Sequence, residues 1–460
     1  MQLFLADWVY LDDAFQPRAG VLVDDAGRIV ATGARDALLA RPDAAKATKV
    51  ELARRALLPG TIDAHSHCFQ VLLRGSSDHP ASFRDWVRSH LYPLVERLDE
   101  ASLEAAALLC FSQMARAGIT TVGEFHYVHN AEDYTPASAR LANVVIGAAR
   151  RVGLRIAFVR ALYDVQERLG QGRFAETPQA AADAIRALRK EHAKDPCVTV
   201  LPAPHSLHGA TRDAIGMGAA LAKELGTRWH IHLAEQQGDL GYAQRVHSTT
   251  PLRVLDDWGL LDERAVIVHG IWLSPDEQRL LVERRAGLVS NPTTNMALGD
   301  GIAPLTELGG LGATVALGTD LNARPCIFDE IRTAEYLQRV KHLRMGMIPT
   351  GGKEGVAPDP VKLLTMGTRH GADVLNVDAG ALSPARWADL VAVDLHDPSL
   401  LPAGVRGGRA LLSAVTSSVA AESAVTDVFV AGRPVVRERA LVNVTLAEVA
   451  ERLQGAKALA

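Results

Sequence analysis

The chain is poor in several things, and each shortage excludes something. Its 460 residues contain four cysteines, Cys68, Cys110, Cys197 and Cys326. They are far apart and form no CxxC pair, so neither a disulfide framework nor a thiolate metal knuckle is expected. No stretch approaches the ~18 uninterrupted apolar residues of a membrane-spanning helix. No long block of Lys or Arg occurs, and a formal net charge of −4 is small for this length, which argues against nucleic acid as a partner. The opening MQLFLADWVYLDDAF carries acids where a secretory leader has a basic region, so a cytoplasmic location is expected. Low-complexity tracts and internal repeats are also missing.

What is present is a long alternation. After two β-rich runs near the start, FLADWVYL and GVLVDDAGRIVATG, eight short apolar stretches follow from about residue 57: TIDAH, ITTVGEF, LRIAFVRA, VTVLPAPH, RWHIHLAE, AVIVHG, GLVSNP and TVALGTD. Helical segments separate them, such as LEAAALLCFSQMARAG, whose Gly118 sits where a left-handed helix terminus belongs. Near-continuous apolar strands alternating with helices predict a parallel sheet covered on its outside. Eight such units make an α/β chain with a (β/α)8 TIM-type barrel over residues 57–379. β texture returns in ADLVAVDL and TDVFVAGRPVV, so residues 1–56 and 380–460 are expected to form a small β-sandwich domain from both chain ends.

In such a barrel the chemistry lies at the C-terminal ends of the strands. There the sequence places His65 and His67, then His205, then His230, His232 and Glu235, then His269, and last Asp320. In a strand, residues i and i+2 face the same way, so His65 and His67 project together. One HxH is as readily a polar strand end as half of a metal site. A set of imidazoles and a carboxylate on one rim is different, because burying them together without a cation is costly. Zinc takes such nitrogen and oxygen ligands.

These residues resemble the amidohydrolase superfamily, in its aminohydrolase (deaminase) branch. HxH after strand one, histidines after strands five and six, and Asp after strand eight carry the likeness, with LPG before the HxH and SPARWADLVAVDL near the end. The resemblance implies one divalent metal ion bound by His65, His67, His232 and Asp320, with Zn2+ first and Fe2+ or Mn2+ able to use the same donors. No lysine stands in VTVLPAPH, where members with two metals carry one. By the same resemblance Glu235 shuttles protons, His269 contacts the developing tetrahedral centre, and Asp320 accepts a proton from the attacking water. His230 stays open beside His232, because both face the same way.

Within the branch, HSHCFQ, VGEFHYVHN, HSL, HIHLAEQQ, LGDGIAP and FDEIRTAEYLQRV are similar to bacterial formimidoylglutamate deiminases. That likeness implies that Gln70, Tyr127 and His205 touch a small-molecule amidine substrate, which loses ammonia to give the N-formyl product of histidine degradation. Two arginines that would hold its carboxylates are replaced, one at His208 and Gly209, the other at Val87, with Arg74, Arg84 and Arg88 nearby. VLLRGSSDHPASFRDWVRSHLYP also resembles deaminases of purines and related rings, so an aminoheterocycle deaminase (guanine-like, adenosine-derived or triazine) is the alternative. A binding protein on a decayed barrel would not need Glu235 as a proton shuttle. A homodimer is expected, since a small β domain beside a barrel leaves a helical face for a second subunit.

Overall fold

The computed structural model describes residues 1–77, 79–166 and 170–459. Sixteen strands are seen among them. The first four are β1 (Gln2–Leu11), β2 (Ala14–Val23), β3 (Ile29–Ala34) and β4 (Thr48–Pro59). Eight more alternate with helices: β5 (Thr61–Ser66), β6 (Ile119–His126), β7 (Arg155–Leu162), β8 (Val198–Pro204), β9 (Trp229–Leu233), β10 (Ala265–His269), β11 (Gly287–Ser290) and β12 (Val315–Leu317). The last four are β13 (Leu390–Asp394), β14 (Val425–Val430), β15 (Arg433–Arg437) and β16 (Ala440–Leu441).

The middle eight coincide with the eight apolar stretches read from the sequence. They pair in parallel as β5-β6-β7-β8 and β9-β10-β11-β12. Isolated parallel bridges join the two seams, Ser206 with His232 between β8 and β9, and Ser66 with Asp320 between the end of β12 and β5. The eight strands therefore follow one another around a closed ring. Every residue of β5, β6, β7, β9 and β10 is buried, as a sheet covered on both faces requires. Local signals set several of the covering helices. Thr177 and Thr211 cap two of them through their hydroxyls, Ser274 and Glu277 form a capping box on a third, and Gly153 ends a fourth at φ +109°.

The chain ends differ from expectation in detail. They build one eight-stranded sheet, ordered β16-β15-β14-β13-β4-β1-β2-β3, rather than two separate sheets. The expected break at residue 57 falls inside β4, whose Leu57, Leu58 and Pro59 still pair with β13. Period-2 texture marks a strand but not the sheet it joins, so the sequence alone could not choose. Among the described residues, no helix is long and apolar enough to cross a membrane.

A buried ion pair ties this sheet to the ring. Arg155, at the start of β7, donates from Nε and Nη2 to both oxygens of Asp389 (2.9 and 3.2 Å), and each side chain is 1% exposed. Asp389 also accepts from the Ala431 amide at 2.7 Å. Removing one partner of such a pair strands the other charge, so Arg155→Met is expected to lose about 3–5 kcal/mol of stability. Arg155→Met with Asp389→Leu is expected to lose less, and urea unfolding midpoints of the two variants decide.

Candidate metal centre and catalytic site

At the C-terminal mouth of the ring, His65, His67 and His232 offer ring nitrogens that all lie within 4.8 Å of one another. His65 Nε2 is 3.1 Å from His232 Nε2. Asp320 Oδ1 lies 3.5 Å from His65 Nε2 and 3.4 Å from His67 Nε2. Backbone groups set the tautomers of two rings. His67 Nδ1 donates to the Phe125 carbonyl (2.8 Å) and His232 Nδ1 to the His205 carbonyl (2.9 Å). Their Nε2 atoms are therefore bare lone pairs turned to the centre. Burial holds His65, His67 and His232 below the ordinary imidazole pKa, so none is charged at neutral pH. The lone pairs of His67 and His232 converge beside a carboxylate, and they repel unless a cation or a proton on His65 Nε2 lies between them. The donor set of three imidazoles and one carboxylate fits one divalent ion.

The strand ends carry unusual backbone. Asp320 and His269 have φ of +52° and +75°, left-handed values that a side chain adopts only when its surroundings hold it there. Gly318, two residues before Asp320, packs against His65 with no room for a side chain. A Cβ there would lie 2.6 Å from Asn291 Oδ1, 2.7 Å from His65 Cβ and 2.8 Å from the His65 amide nitrogen. Gly318→Ala is therefore expected to cost about 1–3 kcal/mol through overpacking. Because His65 is pushed, metal affinity should fall as well, which a competitive chelator titration reads.

Two more groups flank Asp320. His269 Nε2 lies 3.7 Å from Glu235 Oε1 and 3.9 Å from Asp320 Oδ2. Burial, followed by the like charges of Asp300, Asp320 and Asp239, holds the Glu235 carboxyl well above the usual range. The cluster opens into a cavity of about 500 Å³, lined by Gln70, Tyr127 and His205 as well as Glu235 and His269. Gln70 Nε2 donates to the Tyr127 hydroxyl at 2.9 Å.

Other sequence candidates lie elsewhere. His230 is tied to the Val374 carbonyl (2.9 Å), His126 to the Val128 carbonyl (2.7 Å) and His129 to Arg160 (2.7 Å). All four cysteines are buried and free, Cys68 among them. Of the three nearby arginines, Arg84 lines the cavity, whereas Arg74 bonds Gln113 and the Asn322 carbonyl. Arg245, from the segment after β9, also lines it, and His208 Nδ1 faces Asp239 at 3.7 Å. Sequence reasoning missed the aromatic wall of Phe83, Trp86, Tyr92, Tyr163 and Phe174. Phe83, Trp86 and Tyr92 come from the helical segment after β5, and Tyr163 and Phe174 from the connection after β7, so only the fold brings them together.

Residues 56–435 match the Amidohydrolase family. The chain belongs to that family. As an amidohydrolase it is an enzyme acting on carbon–nitrogen bonds. It is 30% identical to a 5-methylthioadenosine/S-adenosylhomocysteine deaminase of Nitratidesulfovibrio vulgaris, over 83% of this chain and 80% of the relative. It is 29% identical to a 5'-deoxyadenosine deaminase of Methanothermobacter thermautotrophicus, over 77% of each. The crystal structure of an adenosine deaminase from Xanthomonas campestris with bound zinc superposes with a TM-score of 0.83 at 24% identity, covering 98% of this chain and 97% of that one. At that identity the likeness speaks for the fold.

Proposed function

We propose that this amidohydrolase is a zinc-dependent deaminase of an aminoheterocycle, with adenosine-derived compounds the first candidates. The observation that carries the reading is the juxtaposition at the cavity floor. A buried carboxyl (Glu235), an imidazole (His269) and a carboxylate (Asp320) surround one reaction centre beside three neutral metal-type nitrogens. The ring of strands is read as a (β/α)8 barrel over residues 57–379, with the chain ends forming a β domain beside it.

A divalent ion held by His65, His67, His232 and Asp320 supplies a Lewis acid, which brings the pKa of water from 15.7 to about 7. The side chains do the rest. Glu235 gives its proton to the ring nitrogen of the C=N bond, making the adjacent carbon electrophilic. Asp320 takes a proton from the water that adds to that carbon, and His269 hydrogen-bonds the added oxygen. Asp320 passes the proton it has taken to the exocyclic amine, the C–N bond breaks, and the hydroxyl proton of the added oxygen restores Glu235. Water and the amidine become a carbonyl compound and ammonia, so atoms and protons balance.

The substrate class is supported by the wall of the cavity. Phe83, Trp86, Tyr92, Tyr127, Tyr163 and Phe174 offer flat apolar surfaces suited to a heteroaromatic ring. The names of the two deaminase relatives point the same way. Formimidoylglutamate, which the sequence resemblance ranks first, has weaker support. Neither Val87 nor His208 supplies the arginine its carboxylates would use, and a small acyclic amidine has no use for that aromatic wall. The test is ammonia release from zinc-loaded enzyme with 5'-methylthioadenosine, S-adenosylhomocysteine, 5'-deoxyadenosine, guanine, an aminotriazine and formimidoylglutamate. Turnover of a purine or triazine with none of formimidoylglutamate is expected, and the reverse pattern overturns the substrate class.

A further inference from the structure

His269 presents one ring nitrogen to the reaction centre, and what it can do there depends on whether that atom carries a proton. Two side-chain amides decide this from behind. Asn291 Nδ2 and Asn295 Nδ2 each lie 3.3 Å from His269 Nδ1. Neither amide is free to turn over. Asn291 Nδ2 also faces Asp320 Oδ2 at 3.5 Å, and Asn295 Nδ2 donates to Asp300 Oδ2 at 3.1 Å. A flipped Asn291 would set its carbonyl oxygen against the Asp320 carboxylate, two acceptors with no proton between them. Its carbonyl oxygen lies over Gly318, where a Cβ would come within 2.6 Å of it, and has no hydrogen-bond partner among the described residues, so the orientation rests on the Asp320 contact. With N–H groups aimed at it, Nδ1 can only accept, so the single ring proton resides on Nε2.

We propose that Asn291 and Asn295 are positioning residues that hold His269 as a fixed Nε2–H donor facing the reaction centre. A protonated Nε2 has no lone pair for a cation, so the metal set ends at His65, His67, His232 and Asp320, and His269 is left to hydrogen-bond the added oxygen. That use of the donor rests on the deaminase reading, whereas the tautomer does not. Asn291 follows β11 directly, and Asn295 sits one turn into the helix Pro292–Leu298. The helix thus carries its amide to His269 from outside the ring of ligands.

Neutron diffraction from deuterium-exchanged crystals of the zinc-loaded protein tests the idea without any substitution. Deuterium on His269 Nε2 and none on Nδ1 is expected, and deuterium on Nδ1 overturns the proposal. The same measurement on Asn295→Asp asks whether the amide sets the tautomer. Combined with Asp300→Asn, so that no second carboxylate faces it, a carboxylate there accepts from Nδ1, so deuterium should move to Nδ1, and an unchanged ring overturns the positioning role. In kinetics, Asn295→Asp is expected to lower kcat about tenfold to a hundredfold with KM within about threefold. An enzyme that released ammonia from none of the panel while holding Nε2–D would sink the deaminase reading and leave this inference standing. Ammonia release with deuterium on Nδ1 would do the opposite.

Discussion

Glu235→Gln is expected to lower kcat for ammonia release by about 10²- to 10⁴-fold while the metal content per chain stays unchanged. The amide keeps the shape of the side chain but carries no transferable proton. The surroundings of the wild-type carboxyl push its pKa up. It is largely buried, and Asp300, Asp320 and Asp239 add negative charge around it, all of which disfavours a further anion. The site stabilises that arrangement from the backbone side. Asp239 accepts from the amides of Glu235 and Gln236 (3.0 and 3.1 Å), and the Trp272 indole donates to the Glu235 carbonyl (3.0 Å). The substitution therefore removes a proton carrier from a segment whose backbone is otherwise anchored. Steady-state kinetics with metal analysis on the same samples separates the outcomes. A variant with near wild-type kcat would remove Glu235 from the chemistry, and one that lost its metal would mean that the side chain acts through the ion site.

The order of strands and the residues at their ends were legible because both rest on short-range physics. A buried parallel strand must be apolar throughout, and a polar residue at its C-terminal end interrupts that pattern visibly. His65, His67, His232, His269 and Asp320 all stand at such interruptions. The i, i+2 rule also brought His230 and His232 forward together, and periodicity alone could not separate them, whereas the family resemblance takes His232, three before the glutamate, as the ligand. The separation comes from a distant helix, Arg369–Leu375, whose Val374 carbonyl accepts from His230. Asn291 and Asn295 were invisible for a similar reason. In SNPTTN they read as turn and helix-start residues, and only the closure of the ring brings their amides to His269. The single sheet at the chain ends depends on the pairing of β4 with β13, residues more than 300 apart in sequence. Composition signals strands but carries no partner information over that distance. The two expected arginines show the converse. Their absence at Val87 and His208 was read from the sequence, yet the presence of Arg245 in the cavity wall required the fold.

His232→Ala is expected to bring bound metal from about one ion per chain to background and to abolish ammonia release, whereas His230→Ala keeps the metal. The contrast follows from two side chains on one strand, two residues apart, with different partners. His232 aims a bare Nε2 at His65 Nε2 because its Nδ1 is occupied by the His205 carbonyl. Losing it removes one of the four donors that converge here and opens a gap where its Nε2 stood, so the remaining three should hold an ion far less tightly. The stability effects should also differ. In metal-free protein His232 is buried and bonds the His205 carbonyl, so His232→Ala also lowers the metal-free unfolding midpoint. Adding zinc then raises the midpoint of the wild type and not of the variant, because an ion stabilises only the state that binds it. His230 is fully buried and satisfies the Val374 carbonyl, so His230→Ala leaves that acceptor unpaired and costs about 1–3 kcal/mol with or without metal. Stoichiometric zinc in His232→Ala, or a metal-free His230→Ala that remains folded, would show that the ion is held by a different set of side chains.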